Sequence, residues 1–216
     1  LITKYGHCCL LLDINGVRFL TDPGSFSTMQ SEARDVDAVV ITHEHADHLH
    51  IDSLKEVLAN NSNAQVITNP SVGKILNEQG IEYHSVADGE SIDIKGILVE
   101  GMGTKHAEIY KEFGQVENTG YFFNGGEKHK LFYPGDAFYE PGKPVDILAL
   151  PVAGPWCNVH DAMEYALAVH PRVAFPVHDG PGVDWRASTP HRVGPIFLPK
   201  AGIEFVTIGI GETKEF

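Results

Sequence analysis

Residues 39–48 read VVITHEHADH, an apolar run that leads into a dense group of histidine and aspartate side chains. The segment from Asp37 to Ile41 is apolar and largely β-branched after the aspartate, which predicts a short buried strand. His43 and His45 follow two residues apart on extended chain, so their side chains point to the same side. The stretch therefore brings two imidazoles together at the end of a buried strand.

The same stretch supplies four candidate metal ligands: His43, His45, Asp47 and His48. Asp47 and His48 come where the chain must turn, so they can face a second ion beside the one that His43 and His45 reach. Two cations a few ångströms apart can hold and activate one bridging hydroxide. A solvated strand end without metal is the alternative, but four ligand-type residues packed directly after an apolar strand favour a metal site.

The pattern His43-x-His45-x-Asp47-His48 resembles the H-x-H-x-D-H signature of the metallo-β-lactamase superfamily. The resemblance implies an α+β fold, the four-layer αββα sandwich, with the metals at the edge between two sheets. Strand and helix patterns in both halves of the chain fit a mixed fold. We expect one metallo-β-lactamase-like domain over residues 1–216.

The resemblance also assigns the ligands that follow downstream. His106, just past the strand predicted at 97–101, is implied as the third ligand of the first metal, and His178, at the end of a strand at 173–177, as a ligand of the second. Asp136 matches the aspartate that bridges both metals, although a Pro-Gly-Asp turn alone would explain it. His84, His129 and His191 are weaker competitors for these positions.

Other candidate residues lie around the ligands. Asp47 and Asp136 are the candidate catalytic residues, because they are the carboxylates that would hold the reacting ions. Asp22 resembles the superfamily's early aspartate, which lies behind the metals and gives an imidazole a partner; a simple turn aspartate is the alternative. To orient substrate or protonate a leaving group, the candidates are His7, His160 and Tyr139.

Local patterns predict most of the elements between these residues. Asn15-Gly16 predicts a hairpin of 7–14 with 17–21, and a second hairpin joins the strands at 121–123 and 131–133. A capping box at 53–56 predicts a helix that ends at 60–61, and further helices are predicted at 70–80 and 159–169. We expect a loop at 181–185, a closing strand at 203–208 and an ordinary tail at 209–216.

The overall composition restricts partners and location. The chain has 216 residues, 43% of them hydrophobic, and a net charge of −13 without any run of Lys or Arg, which argues against nucleic acid as partner. No apolar run approaches the roughly 20 residues of a membrane span. Cys8, Cys9 and Cys157 form no disulfide pattern, which favours a reducing, cytoplasmic location. No signal peptide is visible, and whether residues precede Leu1 stays open.

The expected charge of the site indicates its chemistry. Two divalent ions, the carboxylates of Asp47 and Asp136, neutral imidazoles and one hydroxide leave a net charge of about +1. Such a site stabilises a developing oxyanion, so we predict a metal-dependent hydrolase of a small-molecule ester, lactone or phosphoester. Zinc suits these ligands by default, and manganese or iron fits nearly as well. The sequence leaves the oligomeric state open.

A closer resemblance, to hydrolases of the ascorbate-6-phosphate lactonase type, rests on Gly6-His7, Leu150-Pro151-Val152 and Pro176-Val177-His178. One alternative is an iron-dependent oxidoreductase. The superfamily's di-iron oxygen reductases place Glu where this chain has His45, which argues against that version. They also carry an attached flavin domain, and the sequence of residues 1–216 shows no pattern of one. A persulfide dioxygenase keeps the central motif and therefore stays open. A metal-binding protein without turnover is the third possibility.

Overall fold

The computed structural model describes residues 1–126, 129–180 and 184–216, with side chains from residue 190 onward in the last range. Its strands are, in chain order, β1 (Ile2–Gly6), β2 (Cys9–Ile14), β3 (Val17–Thr21), β4 (Ala38–Ile41), β5 (Gln65–Thr68), β6 (His84–Ser85), β7 (Ser91–Ile94), β8 (Ile97–Met102), β9 (Gly120–Asn124), β10 (Lys130–Tyr133), β11 (Ile147–Pro151), β12 (Val173–Val177), β13 (Glu204–Phe205) and β14 (Thr213–Lys214). The α-helices are α1 (Ile51–Asn60), α2 (Pro70–Glu78), α3 (Val159–Val169) and α4 (Asp184–Phe197). Two short 3₁₀ helices cover Gln30–Glu32 and Leu198–Ala201.

The strands form two seven-stranded sheets, with the orders β14-β1-β2-β3-β4-β5-β6 and β13-β12-β11-β10-β9-β8-β7. Each sheet is antiparallel toward one edge and parallel toward the other. In the first sheet β3 to β6 run parallel, and in the second β10 to β13 do. Because the carboxyl ends of parallel strands share one edge, the segments after β4, β10 and β12 can meet there.

Three apolar clusters hold the layers together. The faces of the two sheets pack on each other through side chains that include Leu10, Leu12, Phe19, Phe123 and Phe175. The first and second helices cover the outer face of the first sheet, and the third helix covers the outer face of the second. The layers are thus helix, sheet, sheet and helix, which confirms the predicted αββα sandwich.

Alternation of apolar side chains explains this arrangement. On β2, Leu10 and Leu12 belong to the cluster between the sheets, whereas Cys9 and Leu11 belong to the cluster beneath the helices. Successive side chains of a strand point to opposite faces, so a strand covered on both faces is apolar at nearly every position. The hairpins and the second and third helices lie where the sequence predicts them.

Four local predictions were wrong. Helix α1 begins at Ile51 rather than after Ser53, because the ring of His50 caps it and accepts from the Ser53 N–H at 3.4 Å. Cys8 lies in the turn between β1 and β2, not on a strand. The closing strand has only two residues, 204–205. In the tail, residues 213–214 form a short strand that pairs with β1.

The fourth wrong prediction concerns residues 184–185, which begin helix α4 instead of continuing a loop. Pro190 and Pro195 lie inside this helix, and each proline removes a backbone hydrogen bond, so the sequence indicated no helix there. Tertiary packing outweighs that preference. Gly194 is so close to the Phe205 ring that an added Cβ would lie 2.8 Å from it. The predicted loop residues 181–183 lie outside the described residues.

Among the helices that the structure describes, none combines the length and the apolarity that crossing a membrane requires.

Candidate metal centre

The central motif forms the turn that follows β4. His43 and His48 are fully buried, whereas His45 and Asp47 are partly exposed. The turn is closed by the His48 N–H, which donates to the His45 carbonyl at 2.9 Å. The chain therefore turns after His45, as the sequence indicated. His43 and His45 belong to one group of possible ligands, and Asp47 and His48 belong to the other.

Asp136 lies at the centre of the surrounding histidines. Its Oδ2 is 3.0 Å from His178 Nε2, 3.3 Å from His106 Nε2 and 3.7 Å from His43 Nε2. Its Oδ1 is 3.1 Å from His48 Nε2. The carboxylate is only 2% exposed. Its two oxygens thus face histidines from both sheets, the position expected of a bridging ligand.

The titratable side chains form two groups of four residues, and within each group one ligand atom per residue lies within 4.8 Å of the others. The structure brings together all seven ligands that the sequence suggested. The two groups are His43, His45, His106 and Asp136 on one side and His7, Asp47, His48 and His178 on the other, and Cys8, His48 and Asp136 form a third group of three that overlaps both. His7, considered earlier only as a substrate-binding residue, joins the second group.

Hydrogen bonds orient three of the rings. Thr42 Oγ1 accepts from His43 Nδ1 at 3.0 Å, and the carbonyl of Ala107 accepts from His106 Nδ1 at 2.6 Å. Asp22 accepts from His48 Nδ1 at 2.7 Å. With Nδ1 occupied on the outer side, each ring turns Nε2 toward Asp136, which is how metal-binding histidines are usually held.

Several buried atoms in the centre lack a hydrogen-bond partner among the described residues. They are Nε2 of His48, His106 and His178 and Oδ1 of Asp136. The 3.1 Å approach of His48 to Asp136 does not have hydrogen-bond geometry. An unpaired buried polar group costs about 1–3 kcal/mol. Because all four atoms face a common centre and are imidazole or carboxylate donors, they fit divalent ions such as zinc, manganese or iron.

The pKa shifts of the buried histidines show how the binding of a metal ion would depend on pH. Burial lowers the pKa of His43 well below its usual value, so this imidazole stays neutral. Burial also lowers the pKa of His48 and His178, but the nearby Asp136 carboxylate outweighs it and raises both well above normal. A metal ion therefore has to displace protons from His48 and His178, and its affinity is expected to fall as the pH falls.

Asp22 is the centre of a buried polar network. Its carboxylate accepts from the Thr42 N–H at 2.8 Å, from Thr42 Oγ1 at 2.7 Å, from His48 Nδ1 at 2.7 Å and from Tyr133 Oη at 2.5 Å. The residue is fully buried and has a φ of +34°. The hydrogen bond to His48 is the contact that a residue behind the ligands would make.

Replacing Asp22 with asparagine is expected to lower the affinity for metal about 10–100-fold, the usual effect of losing a partner behind a ligand. The amide keeps one oxygen acceptor, but its NH₂ faces groups that are themselves donors. Competition against a coloured chelator measures the affinity. Asp35→Asn is the matched control, because the Asp35 side chain is 88% exposed. Equal affinities of both variants and the wild type would contradict this role.

The remaining candidates lie outside the groups of possible metal ligands. Tyr139 lines a cavity of about 550 Å³ that opens beside His106. His160 is exposed in the first turn of α3, where its backbone N–H donates to the Asn158 side chain. The competing side chains of His84 and His129 are exposed.

Two features of the site escaped the sequence analysis. Trp156 packs against two of the histidines, with ring centroids 5.5 Å from His106 and 5.4 Å from His178. Asp179, directly after His178, binds the buried Lys4 ammonium at 2.5 and 2.6 Å. Lys4 lies two residues after the core residue Ile2 on β1, and a lysine on such a face could have indicated a buried ion pair, but nothing local identifies its partner.

Fold and site together define a class of protein. A four-layer αββα sandwich with a histidine–aspartate cluster at one edge of its sheets is the arrangement of the metallo-β-lactamase superfamily. The family model described as "Beta-lactamase superfamily domain" matches residues 1–178. The chain therefore belongs to the beta-lactamase superfamily, which confirms the resemblance carried by the central motif.

The chain is also similar to individual proteins of known sequence or structure. The chain is 36% identical over 179 residues to Protein Rv0786c of Mycobacterium tuberculosis, with 82% of each chain covered. It is 30% identical over 193 residues to a UPF0173 metal-dependent hydrolase of Carboxydothermus hydrogenoformans, with 82% of this chain and 83% of the relative covered. Igni18, a metallo hydrolase from Ignicoccus hospitalis, shares the fold with a TM-score of 0.80 at 19% identity, covering 100% of this chain and 98% of its own.

Proposed function

We propose that this protein is a metal-dependent hydrolase that holds two divalent ions, one on either side of Asp136, through the seven ligands suggested by the sequence, and cleaves a small ester, lactone or phosphoester. One observation carries the proposal. Asp136 lies between the two groups, and buried donor atoms on both sides of it lack partners among the described residues. The relative from Carboxydothermus hydrogenoformans, named a metal-dependent hydrolase, supports the hydrolase class.

Bound ions would supply an activated water as the nucleophile and polarise the oxygen of the substrate. The protein residues determine where a substrate can approach. His43, His48 and Asp136 are closed off from solvent, whereas His45 and Asp47 are partly exposed, so the open side of the centre lies at the latter two. A reacting carbonyl or phosphoryl group would enter from that side.

The cavity beside His106 would hold the rest of the substrate. Phe138, Tyr139 and Trp156 line it, so one part of the substrate would meet an aromatic surface. The Tyr139 hydroxyl is our candidate on this wall to orient the substrate or protonate a leaving group. His160 is the alternative donor, on the nearby first turn of α3.

Metal analysis combined with a substrate screen tests the proposal. Protein purified without added metal is expected to contain about two equivalents of zinc or manganese and to hydrolyse one class among chromogenic esters, lactones and phosphodiesters. A chelator should abolish the activity, and the same metal should restore it. One equivalent of iron, oxygen uptake and no hydrolysis would instead favour the oxidoreductase. Two bound metals with no turnover of any class would favour a metal-binding protein.

The cysteine residues support a proposal about the partners and the location of the enzyme. We propose a small-molecule substrate, no nucleic-acid partner and a cytoplasmic location. Cys8, Cys9 and Cys157 are buried as free thiols, and burial raises the pKa of Cys157 to about 12, which keeps that thiol protonated. Protected, unpaired thiols support a reducing compartment. The likeness to the ascorbate-6-phosphate lactonase type remains a prediction about the substrate.

A further inference from the structure

We propose that His7 is a fifth protein ligand of the second metal position, beside Asp47, His48, His178 and the shared Asp136. The inference rests on the proposed two-metal site and adds a ligand to it. The superfamily signature does not include His7, which precedes the hairpin and lies far from the central motif in sequence. The reasons for it are the convergence of ring nitrogens, the burial of the ring and the backbone conformation of the residue.

Three imidazole nitrogens converge on one oxygen of Asp47. Oδ2 of this carboxylate lies 3.2 Å from His7 Nε2, 3.5 Å from His178 Nε2 and 3.8 Å from His48 Nε2. Atoms bonded to one ion at about 2.1 Å can lie at most about 4.2 Å apart. Each of the three distances meets that limit, and the His7 nitrogen is the nearest of the three to the carboxylate.

The ring of His7 is held in this position by its surroundings. The residue is 3% exposed, and its ring lies between His178, at a centroid distance of 4.1 Å, and Phe26, at 5.4 Å. On its other side, Nδ1 is buried without a hydrogen-bond partner among the described residues. Nε2 therefore faces the second ligand group, where it lies at hydrogen-bond distance, 3.2 Å, from Asp47 Oδ2.

The backbone of His7 is unusual for a histidine. Its φ is +49°, in the left-handed region that glycine or asparagine adopts more easily. His178, at the opposite side of the same group, has a φ of +56°. Two histidines in this conformation aim their rings at one point from different ends of the chain. A ligand role gives both residues a reason to occupy positions where their backbone is disfavoured.

With His7 as a ligand, the two metal positions have different numbers of protein ligands. Counting Asp136 in both, the first position has four protein donors and the second has five. Four donors already complete the usual tetrahedral zinc site. Five donors suit an ion that accepts six ligands, such as manganese or ferrous iron. We therefore expect the second position to prefer such an ion over zinc, whereas the first position has the number of donors that zinc prefers.

A cobalt titration tests the assignment without relying on activity. Metal-free wild-type protein and His7→Ala are titrated with Co²⁺ while the visible absorption is recorded, because six-coordinate Co²⁺ absorbs far more weakly than four-coordinate Co²⁺. In His7→Ala we expect the first equivalent to bind as in the wild type. The second should bind at least about 100-fold more weakly, with a more intense spectrum. His84→Ala, at an exposed histidine, is the control.

The outcomes separate this inference from the proposed function. An unchanged second affinity and spectrum in His7→Ala would overturn the ligand role and leave two metals in place. If the wild type binds only one Co²⁺, the two-metal proposal fails. The role of His7 then stands only if His7→Ala loses that ion, and it is overturned if the ion is retained.

A crystal structure of Co²⁺-loaded wild type decides the question without any variant, should His7→Ala fail to fold. A distance of about 2.1–2.3 Å from His7 Nε2 to the second ion supports the assignment. If His7 instead only donates a hydrogen bond to Asp47 and lies beyond bonding distance of the ion, the assignment is overturned.

Discussion

Replacing Asp136 with alanine is expected to remove hydrolysis and to lower the content of both metals while the fold persists. The oxygens of Asp136 contact candidate ligands of both groups, at 3.1 Å from His48 and 3.3 Å from His106. Loss of a partner behind a ligand already costs about 10–100-fold in metal affinity, so loss of a shared ligand should cost more. Elemental analysis, turnover and circular dichroism of the purified variant measure the three effects.

His129→Ala is the matched control for Asp136→Ala. The sequence leaves His129 as a competitor for one of the downstream ligand positions, but its side chain is exposed. We expect it to change neither metal content nor activity. Loss of metal in His129→Ala would mean that the wrong histidines have been assigned, and an Asp136→Ala protein with two metals and full activity would remove the bridging role.

Replacing Lys4 with methionine is expected to destabilise the protein by about 3–5 kcal/mol, the usual effect of removing one partner from a buried ion pair. Lys4 is 2% exposed, and its ammonium group also donates to the Pro176 carbonyl at 3.0 Å. Without it, the Asp179 carboxylate, whose side chain is 9% exposed, keeps among the described residues the hydrogen bond from His191, at 2.9 Å. For a chain of this length the melting temperature should fall by roughly 10 °C, measured by calorimetry.

The effect of Lys4 should depend on pH. Burial raises the pKa of Asp179, but the hydrogen bond from His191 and the charge of Lys4 outweigh it, so the pKa is lowered overall. A carboxyl group with a lowered pKa adds stability above its unfolded value of about 3.9 and loses it as the pH falls through the folded value. The difference between wild type and Lys4→Met, measured without metal, should therefore narrow below about pH 4.

Lys214→Met is the control for Lys4→Met. Lys214 also pairs with a carboxylate, Glu212, but the two side chains are 39% and 44% exposed. Pairs at the surface contribute little to stability, so this variant should melt close to the wild type. Equal losses in the two variants would show that burial is not what makes the Lys4 pair important.

What the sequence could predict depended on local patterns. The motif at 43–48, the Asn15-Gly16 turn and the third helix with its Asn158 cap are each specified within a few residues, and the structure confirms their conformations. The gathering of His106, Asp136 and His178 around the motif came from the family resemblance. No local pattern would place residues that far apart in the chain beside each other.

What the sequence could not predict depends on contacts between distant segments. The pairing of β14 with β1 and the ion pair of Lys4 with Asp179 each join opposite ends of the chain. Helix α4 forms against two internal prolines, since packing on neighbouring elements outweighs local preference. His7 was noticed beside Gly6, but its place in the second ligand group follows from a left-handed turn that its type does not favour.

The spacing of the ligand residues along the chain has a consequence for biosynthesis. The second ligand group begins at His7 and is complete only when His178 is present. Chains are made from the amino terminus, and the earlier parts of a domain emerge first. A nascent chain that ends before Asp136 can complete neither ligand group. The first group is complete once Asp136 has been made and the second once His178 has been made, so the two metal positions can form only in that order.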